Sequence, residues 1–276
     1  MLTYHIPDTT QEVLTLRAEH GAGSMLMGGG TIVMTMMNEG LPHPEVVIGM
    51  KRAGLDKIAS DNGSRLVGAM ATIAAVASDD HPMLSRAAQA CGGWAIRNMA
   101  TIGGNLFAPA PAGDLGVALL ALDAALRIES LEGRRTVPIG VFFDDGRRLD
   151  EREVLTGVEV PAPGAVTRFV KYGRKHGPTP SVVTVAISLR MDGQNVSDAR
   201  IALGSMGPHP VRARRAESML DGHELTPQLI EEAADATTEG LDGLTDAVAS
   251  GWYRRRMASL HVGRLLTDVM DEGRRE

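Results

Sequence analysis

The chain has a single cysteine, Cys91, in 276 residues. That excludes an internal disulfide. It also excludes an all-cysteine iron–sulfur cluster, which needs four thiolates, and it fits a reducing compartment. Aromatic residues make up only 3% of the chain and do not interleave with basic ones. The short runs Arg212-Ala213-Arg214-Arg215 and Arg254-Arg255-Arg256 therefore read as solvated helix faces. With a net charge of −6, nothing indicates a nucleic-acid partner. No apolar run reaches the ~18 residues of a membrane span. The opening Met1-Leu2-Thr3-Tyr4-His5-Ile6-Pro7 lacks the basic and apolar regions of a signal peptide. The cytoplasm is the expected location.

Several chemistries are missing as well. The eight histidines show no metal-ligand spacing, so no metal site is expected. No nucleophile elbow or carboxylate pair stands out, so no catalytic residue is expected. No G-K-[ST] triplet occurs, which excludes a P-loop. The methionines, including Met25, Met27, Met34, Met36 and Met37, read as adaptable core filler. Cys91 reads as a small buried hydrophobe.

What the chain does have is two glycine clusters, Gly28-Gly29-Gly30 before Thr31 and Gly103-Gly104 before Asn105. Glycine lets backbone approach phosphate oxygens closely and aim N–H groups at them. Two such turns can clamp one diphosphate from two sides. A Rossmann site is excluded on spacing: Gly28-Gly29-Gly30 is not G-x-G-x-x-G. With Pro109 and Pro111 close behind, no helix is expected to start at Gly103-Gly104.

Residues 9–20 are predicted helical, opened by the capping box Thr9-Thr10-Gln11-Glu12. Met25 to Met27 reads as a strand, Thr31 to Asn38 as a helix and Val46 to Ile48 as a buried strand. Arg65 to Ala69 reads as a strand. Thr72 caps a short helix, and His81 to Ala90 is helical. Asp114 is placed to cap the helix holding Leu115 to Leu122. A hairpin is expected about Glu132-Gly133, then strands at Val154–Val160 and Thr167–Tyr172. Two more strands, Ser181–Arg190 and Ser197–Leu203, precede helices at Val211–Leu220, Pro227–Thr238 and Trp252–Met270. A charged, frayed tail is expected over Asp271–Glu276.

The glycine motifs and their surroundings resemble the FAD-binding medium subunits of the molybdenum hydroxylases, the xanthine dehydrogenase and carbon monoxide dehydrogenase group. The family's first motif, A-G-G-T plus an apolar residue, is similar to Gly28-Gly29-Gly30-Thr31-Ile32, with Gly28 where alanine is usual. Its second, R-N-x-A-T-I-G-G-N, matches Arg97-Asn98-Met99-Ala100-Thr101-Ile102-Gly103-Gly104-Asn105. Its third matches Pro111-Ala112-Gly113-Asp114 and the run ending Leu122-Asp123-Ala124. A fourth matches Phe169-Val170-Lys171-Tyr172-Gly173-Arg174-Lys175. The motifs keep the family's order over most of the chain. The following His176-Gly177-Pro178-Thr179-Pro180 departs from the relatives' Gly-Asp or Glu-Asp pair.

The resemblance implies an α+β, two-subdomain, non-Rossmann FAD-binding fold of the PCMH or vanillyl-alcohol-oxidase type. The subdomains are expected at 1–55 and 56–175, followed by a sheet-plus-helices domain at 176–276. FAD, held non-covalently, is expected to lie extended between the two subdomains. The implied contacts are Met27, Gly28, Gly29, Gly30, Thr31 and Ile32, then Thr101, Gly103, Gly104 and Asn105. Asp114 would accept from ribityl hydroxyls, and Lys171 would reach the flavin ring edge. Leu155 and Tyr172 complete the set, with Arg174, Lys175 and His176 nearby. The implied activity is electron transfer within an oxidoreductase. Partners would be a small subunit carrying [2Fe–2S] clusters and a large molybdopterin subunit, in a dimer of heterotrimers. The alternatives are a self-contained flavin oxidase or reductase and a non-catalytic assembly subunit. The substrate and the terminal electron acceptor are not legible.

Overall fold

The structure is a computed structural model that describes residues 2–41, 43–61, 64–162, 165–175 and 177–273. The chain folds into two compact units that are not contiguous in sequence. One comprises Met1–Ser78, Gly92–Ala108 and Asp123–Ala162; the other comprises Asp79–Cys91, Pro109–Leu122 and Pro163–Glu276.

The first unit begins with β1 (Thr3–His5), α1 (Thr10–His20), β2 (Ser24–Met27), α2 (Val33–Asn38) and β3 (Val46–Gly49). The strands form a parallel sheet in the order β1-β3-β2. The capping box forms in part: Thr9 accepts from the Glu12 N–H, while the Glu12 carboxylate accepts from the Asp8 N–H, one residue before the cap. Gly21, in the left-handed region, stops the helix. The α1 side chains Val13 and Leu14 bury against Val46, Ile48, Met50 and Val154. All four residues of β3 are buried, as a central parallel strand requires. Strand β1 is too short and too exposed to signal itself in the sequence.

A second sheet in this unit is antiparallel, in the order β4-β5-β8-β6-β7. Its strands are β4 (Ile58–Asp61), β5 (Ser64–Gly68), β6 (Ala125–Ser130), β7 (Gly133–Pro138) and β8 (Val154–Val160). The expected hairpin is β6–β7, with Ser130 opposite Gly133. Helices α3 (Ile73–Ala77), α5 (Trp94–Met99), α6 (Ile102–Leu106) and α8 (Ile139–Asp144) complete the unit.

The other unit has α4 (Pro82–Ala90), α7 (Asp114–Ala121), β9 (Val166–Gly173), β10 (Ser181–Asp192), β11 (Asn195–Gly204), β12 (Val211–Arg212), α9 (Arg214–Leu220), α10 (Pro227–Ala236) and α11 (Gly251–Gly273). Its antiparallel sheet runs β12-β11-β10-β9. Helices α4 and α7 cover one face, and α9, α10 and α11 the other. Val183, Val185, Ile187 and Leu189 of β10 pack with Ala216, Ala258 and Val262 on the second face. Covered on both sides, β10 is buried from Ser181 to Leu189 rather than alternating.

Several expectations are corrected. A helix does form at Gly103-Gly104, because the Thr101 hydroxyl accepts from the Gly104 N–H and opens α6. Val211 and Arg212 are strand, paired with Leu203 and Ala202, so the helix starts only at Arg214. The helix after the first glycine turn starts at Val33, beyond Thr31. Asp271 to Gly273 belong to α11; 274–276 lie outside the described residues. Met34 and Met36 are exposed and Met25, Met27 and Met37 only half-buried, so these methionines fill no core. Cys91 is buried, as expected. Among the described residues, no helix is long and apolar enough to cross a membrane, and no cluster could hold a metal.

The largest correction is Arg254, which is 0% exposed rather than part of a solvated face. Its guanidinium donates to the carbonyls of Leu244 (2.9 Å), Ser181 (2.9 Å) and Val182 (2.6 Å) and to Asp246 Oδ1 (2.6 Å). Asp246 also accepts from the N–H groups of Val248 and Ala249. Burial pushes this carboxyl up, but those N–H donors and Arg254 outweigh burial and hold it below the usual carboxylate range. A depressed carboxyl stabilises the fold above its unfolded pKa, and that stability is lost as pH falls through the folded value. Asp246→Asn should therefore cost roughly 1–2 kcal/mol at about pH 7. Its melting-temperature gap from wild type should close below about pH 4. A gap that persists unchanged in acid would show that the charge of Asp246 contributes nothing.

Candidate functional site

In the first unit, β2 ends at Met27 and the chain turns through Gly28, Gly29 and Gly30. This turn packs directly on the second glycine motif. A Cβ at Gly29 would overlap the Met99 carbonyl, and a Cβ at Gly28 would lie 2.8 Å from Thr101 Oγ1. The contact at Gly29 is with backbone, which no rotamer change relieves. Gly30 has φ 71°, a conformation that glycine adopts freely. Gly28 and Gly29 are thus explained by their close approach to Thr101 and Met99, and Gly30 by its backbone conformation.

The two turns differ in what they offer. The N–H groups of Ile102, Gly103, Gly104 and Asn105 bond to Ala71 O, Ala69 O, Thr101 Oγ1 and Thr101 O. They are not available to a ligand, contrary to a symmetric clamp of two N–H cradles. Gly103 is needed because a Cβ there would stand 2.8 Å from the Ala69 carbonyl. What the second motif can still present is the Thr101 hydroxyl proton, with the Asn105 side chain one helical turn on. By contrast, among the described residues the N–H groups of Gly29, Gly30, Thr31 and Ile32 have no backbone partner. Leu155 lies in β8, buried, opposite Ile128.

Asp114 and Lys171 lie together in the other unit. Gly113, with φ 90°, is the N-cap of α7, and no side chain caps that helix. Asp114 is therefore the first helical residue and not its cap. An acidic group there still suits the helix N-terminus. Its carboxylate points to the sheet. Oδ1 accepts from the hydroxyls of Ser181 and Thr184, each at 2.6 Å, and Oδ2 accepts from Lys171 Nζ at 2.7 Å. Lys171 Nζ also donates to the Ala90 carbonyl at 3.0 Å. The side chains of Lys171 and Asp114 are only 12% and 7% exposed.

The sheet explains this convergence. Lys171 stands opposite Thr184, so both reach the α7 face. Ser181 would face the opposite side from Thr184 in a regular strand. The register shifts between Ser181 and Val183, a bulge with Val182 as the extra residue, and Ser181 turns to the α7 face. Sequence reasoning missed Ser181 and Thr184, and only the spacing of a bulged strand could have flagged them.

An ammonium has three donors and a carboxylate about four acceptor sites. Lys171 uses two of the former and Asp114 three of the latter, among the described residues. On that count one N–H donor and one acceptor site remain in a buried and electrically neutral pair.

Tyr172, one residue on, faces the other side of β9. Its hydroxyl lies 3.0 Å from that of Tyr253, and its ring packs on His261 at 5.0 Å. Hydrogen bonding to Tyr172, then burial, pushes the Tyr253 phenol up. Arg174 makes a long 3.4 Å bond to the Ala247 carbonyl, Lys175 is exposed, and His176 lies outside the described residues.

Comparison with known proteins completes the picture. Residues 1–163 match the family described as the FAD binding domain in molybdopterin dehydrogenase. Residues 168–269 match the CO dehydrogenase flavoprotein C-terminal domain. The carbon monoxide dehydrogenase medium chain of Hydrogenophaga pseudoflava is 30% identical over 273 residues, covering 95% of both chains. The structure of carbon monoxide dehydrogenase from that organism, lacking the Mo-pyranopterin moiety, superposes with a TM-score of 0.89 at 30% identity over 95% of each chain. Quinoline 2-oxidoreductase from Pseudomonas putida 86 superposes with a TM-score of 0.90 at 27% identity, covering 99% of this chain and 98% of the other.

Proposed function

Because the chain belongs to the family of FAD-binding medium subunits of molybdenum hydroxylases, we propose that it is the electron-transfer flavoprotein subunit of a multi-subunit molybdenum-dependent dehydrogenase. The observation that carries this reading is the junction of the two glycine motifs. Gly28 and Gly29 leave no room for side chains against Met99 and Thr101, while among the described residues four successive N–H groups, Gly29 to Ile32, stay unengaged by backbone. Such a cradle fits an FAD diphosphate.

Gly29, Gly30, Thr31 and Ile32 would donate to its oxygens, each bond to a charged oxygen contributing roughly 1.5–3 kcal/mol. Met27 and Gly28 shape the turn. Gly103 and Gly104 fix α6 so that Thr101 and Asn105 present their side chains. In the other unit, Asp114 offers its remaining acceptor site to a sugar hydroxyl. Lys171 offers its remaining N–H to an electron-rich ring edge. Leu155 and Tyr172 complete the proposed contacts. When bound, FAD supplies a ring that takes up electrons singly and releases them in pairs. The protein's part is to hold that ring and set the charge beside it.

The proposed partners are a small [2Fe–2S] subunit and a large molybdopterin subunit, assembled as a dimer of heterotrimers in the cytoplasm. Native purification followed by visible spectroscopy and acid release of flavin tests the proposal. Flavin bands with iron–sulfur absorbance, and free FAD after acid, are expected. FAD with neither partner nor iron would favour a self-contained flavoenzyme, and a colourless folded chain would overturn flavin binding.

A further inference from the structure

The buried Arg254 has no place in the proposed flavin contacts, yet it holds the bulge at Ser181–Val182 on which they depend. Its Nη1 donates to both carbonyls at the bulge, Ser181 O and Val182 O. Two successive carbonyls turned toward one guanidinium is a geometry that a regular strand, with alternating carbonyls, does not offer. The same bulge aims the Ser181 hydroxyl at Asp114. The other arms of the fork reach Leu244 O and Asp246, which fixes the guanidinium from its far side. A fully buried arginine held by four groups is a rigid clamp, since its planar fork has little freedom to re-aim.

We infer that Arg254 is a positioning residue for Lys171: it pins the bulge at Ser181–Val182, so that Ser181 and Thr184 together hold Asp114 Oδ1. This rests on the reading of Lys171 as the residue beside the flavin ring. Two hydroxyl donors on Oδ1 take up part of the carboxylate's charge. Lys171 then meets the carboxylate at Oδ2 alone, with the Ala90 carbonyl as its second acceptor and a third N–H left to donate. If the bulge loosens, Ser181 leaves Asp114, and the under-neutralised carboxylate draws the ammonium inward. The charge available to stabilise electron density on a reduced ring falls.

The test uses the full chain loaded with FAD, comparing wild type with Arg254→Lys and Ser181→Ala. Lysine keeps the charge but cannot reach four groups in the fork geometry. Both variants should bind FAD about tenfold more weakly than wild type, for loss of one charge-assisted bond. Both should also shift the two-electron flavin potential in the negative direction by the equivalent of about tenfold, or about 30 mV. In the flavin-free chain, Arg254→Lys alone should speed amide hydrogen exchange over 181–184, while Ser181→Ala leaves the clamp in place. Because Ser181→Ala removes one hydroxyl without touching the clamp, it keeps the test valid if Arg254→Lys fails to fold. Wild-type potential and affinity in the folded variants would overturn the inference while leaving flavin binding intact. A wild-type chain that binds no FAD would instead overturn the reading beneath it.

Discussion

Gly29→Ala should leave the purified chain without flavin. The new Cβ would occupy the position of the Met99 carbonyl, and Met99 C and Ala100 N lie close behind. These are backbone atoms at the end of α5, so the turn itself must move. Overpacking of this kind costs about 1–3 kcal/mol, and more where backbone meets backbone. The larger effect falls on binding. Shifting the turn misaligns N–H groups that are each worth roughly 1.5–3 kcal/mol toward a charged oxygen. Losing two of them weakens FAD binding about 100-fold or more. Gly23→Ala is the control, because its Cβ would meet only Glu45 Oε2 at an ordinary 3.7 Å. Acid-released flavin per chain and the melting temperature read out both effects. Stoichiometric FAD in Gly29→Ala would remove the first motif from the binding site.

Breaking the Asp114–Lys171 pair should be the most destabilising change in the second unit. Asp114→Ala strands a nearly buried ammonium and leaves the hydroxyls of Ser181 and Thr184 without their acceptor. Removing one partner of a buried pair costs about 3–5 kcal/mol. Lys171→Met should cost less, because Asp114 keeps two hydroxyl donors and its charge stays partly neutralised. The double variant should recover roughly 0.5–3 kcal/mol relative to the sum of the singles, since neither charge is then orphaned. Urea denaturation of the four proteins gives the cycle directly. Strict additivity would mean that the two side chains do not interact in solution. Lys171→Met should also hold FAD about tenfold less tightly, for one lost charged bond.

The glycine turns of one unit and the Asp114–Lys171 cluster of the other were not equally legible. The glycine clusters announced themselves, because glycine in that density has few other uses, and the matched motifs fixed their meaning. Capping signals were direct at Thr9 and Thr72, which each cap through a hydroxyl, a purely local interaction, whereas the same bond at Thr101 went unread and the helix it opens was not expected. Asp114 failed as a cap because Gly113, with its positive φ, took that position. The three-residue basic run in α11 misled because a pattern of charges does not say which of them finds buried carbonyls. Arg254 finds three carbonyls contributed by β10 and the segment before α11.

The amino-acid sequence by itself determined the family, the cofactor class, the glycine turns and most element types, since these rest on local backbone freedom and local hydrogen bonds. Only the tertiary structure decided which N–H groups of the two motifs are open to a ligand and that Lys171 is neutralised by Asp114. It alone decided that a bulge clamped by a buried arginine sets Ser181 and Thr184 on one carboxylate. Those outcomes depend on contacts between residues 57 to 73 positions apart, and no periodicity within a single element encodes such contacts.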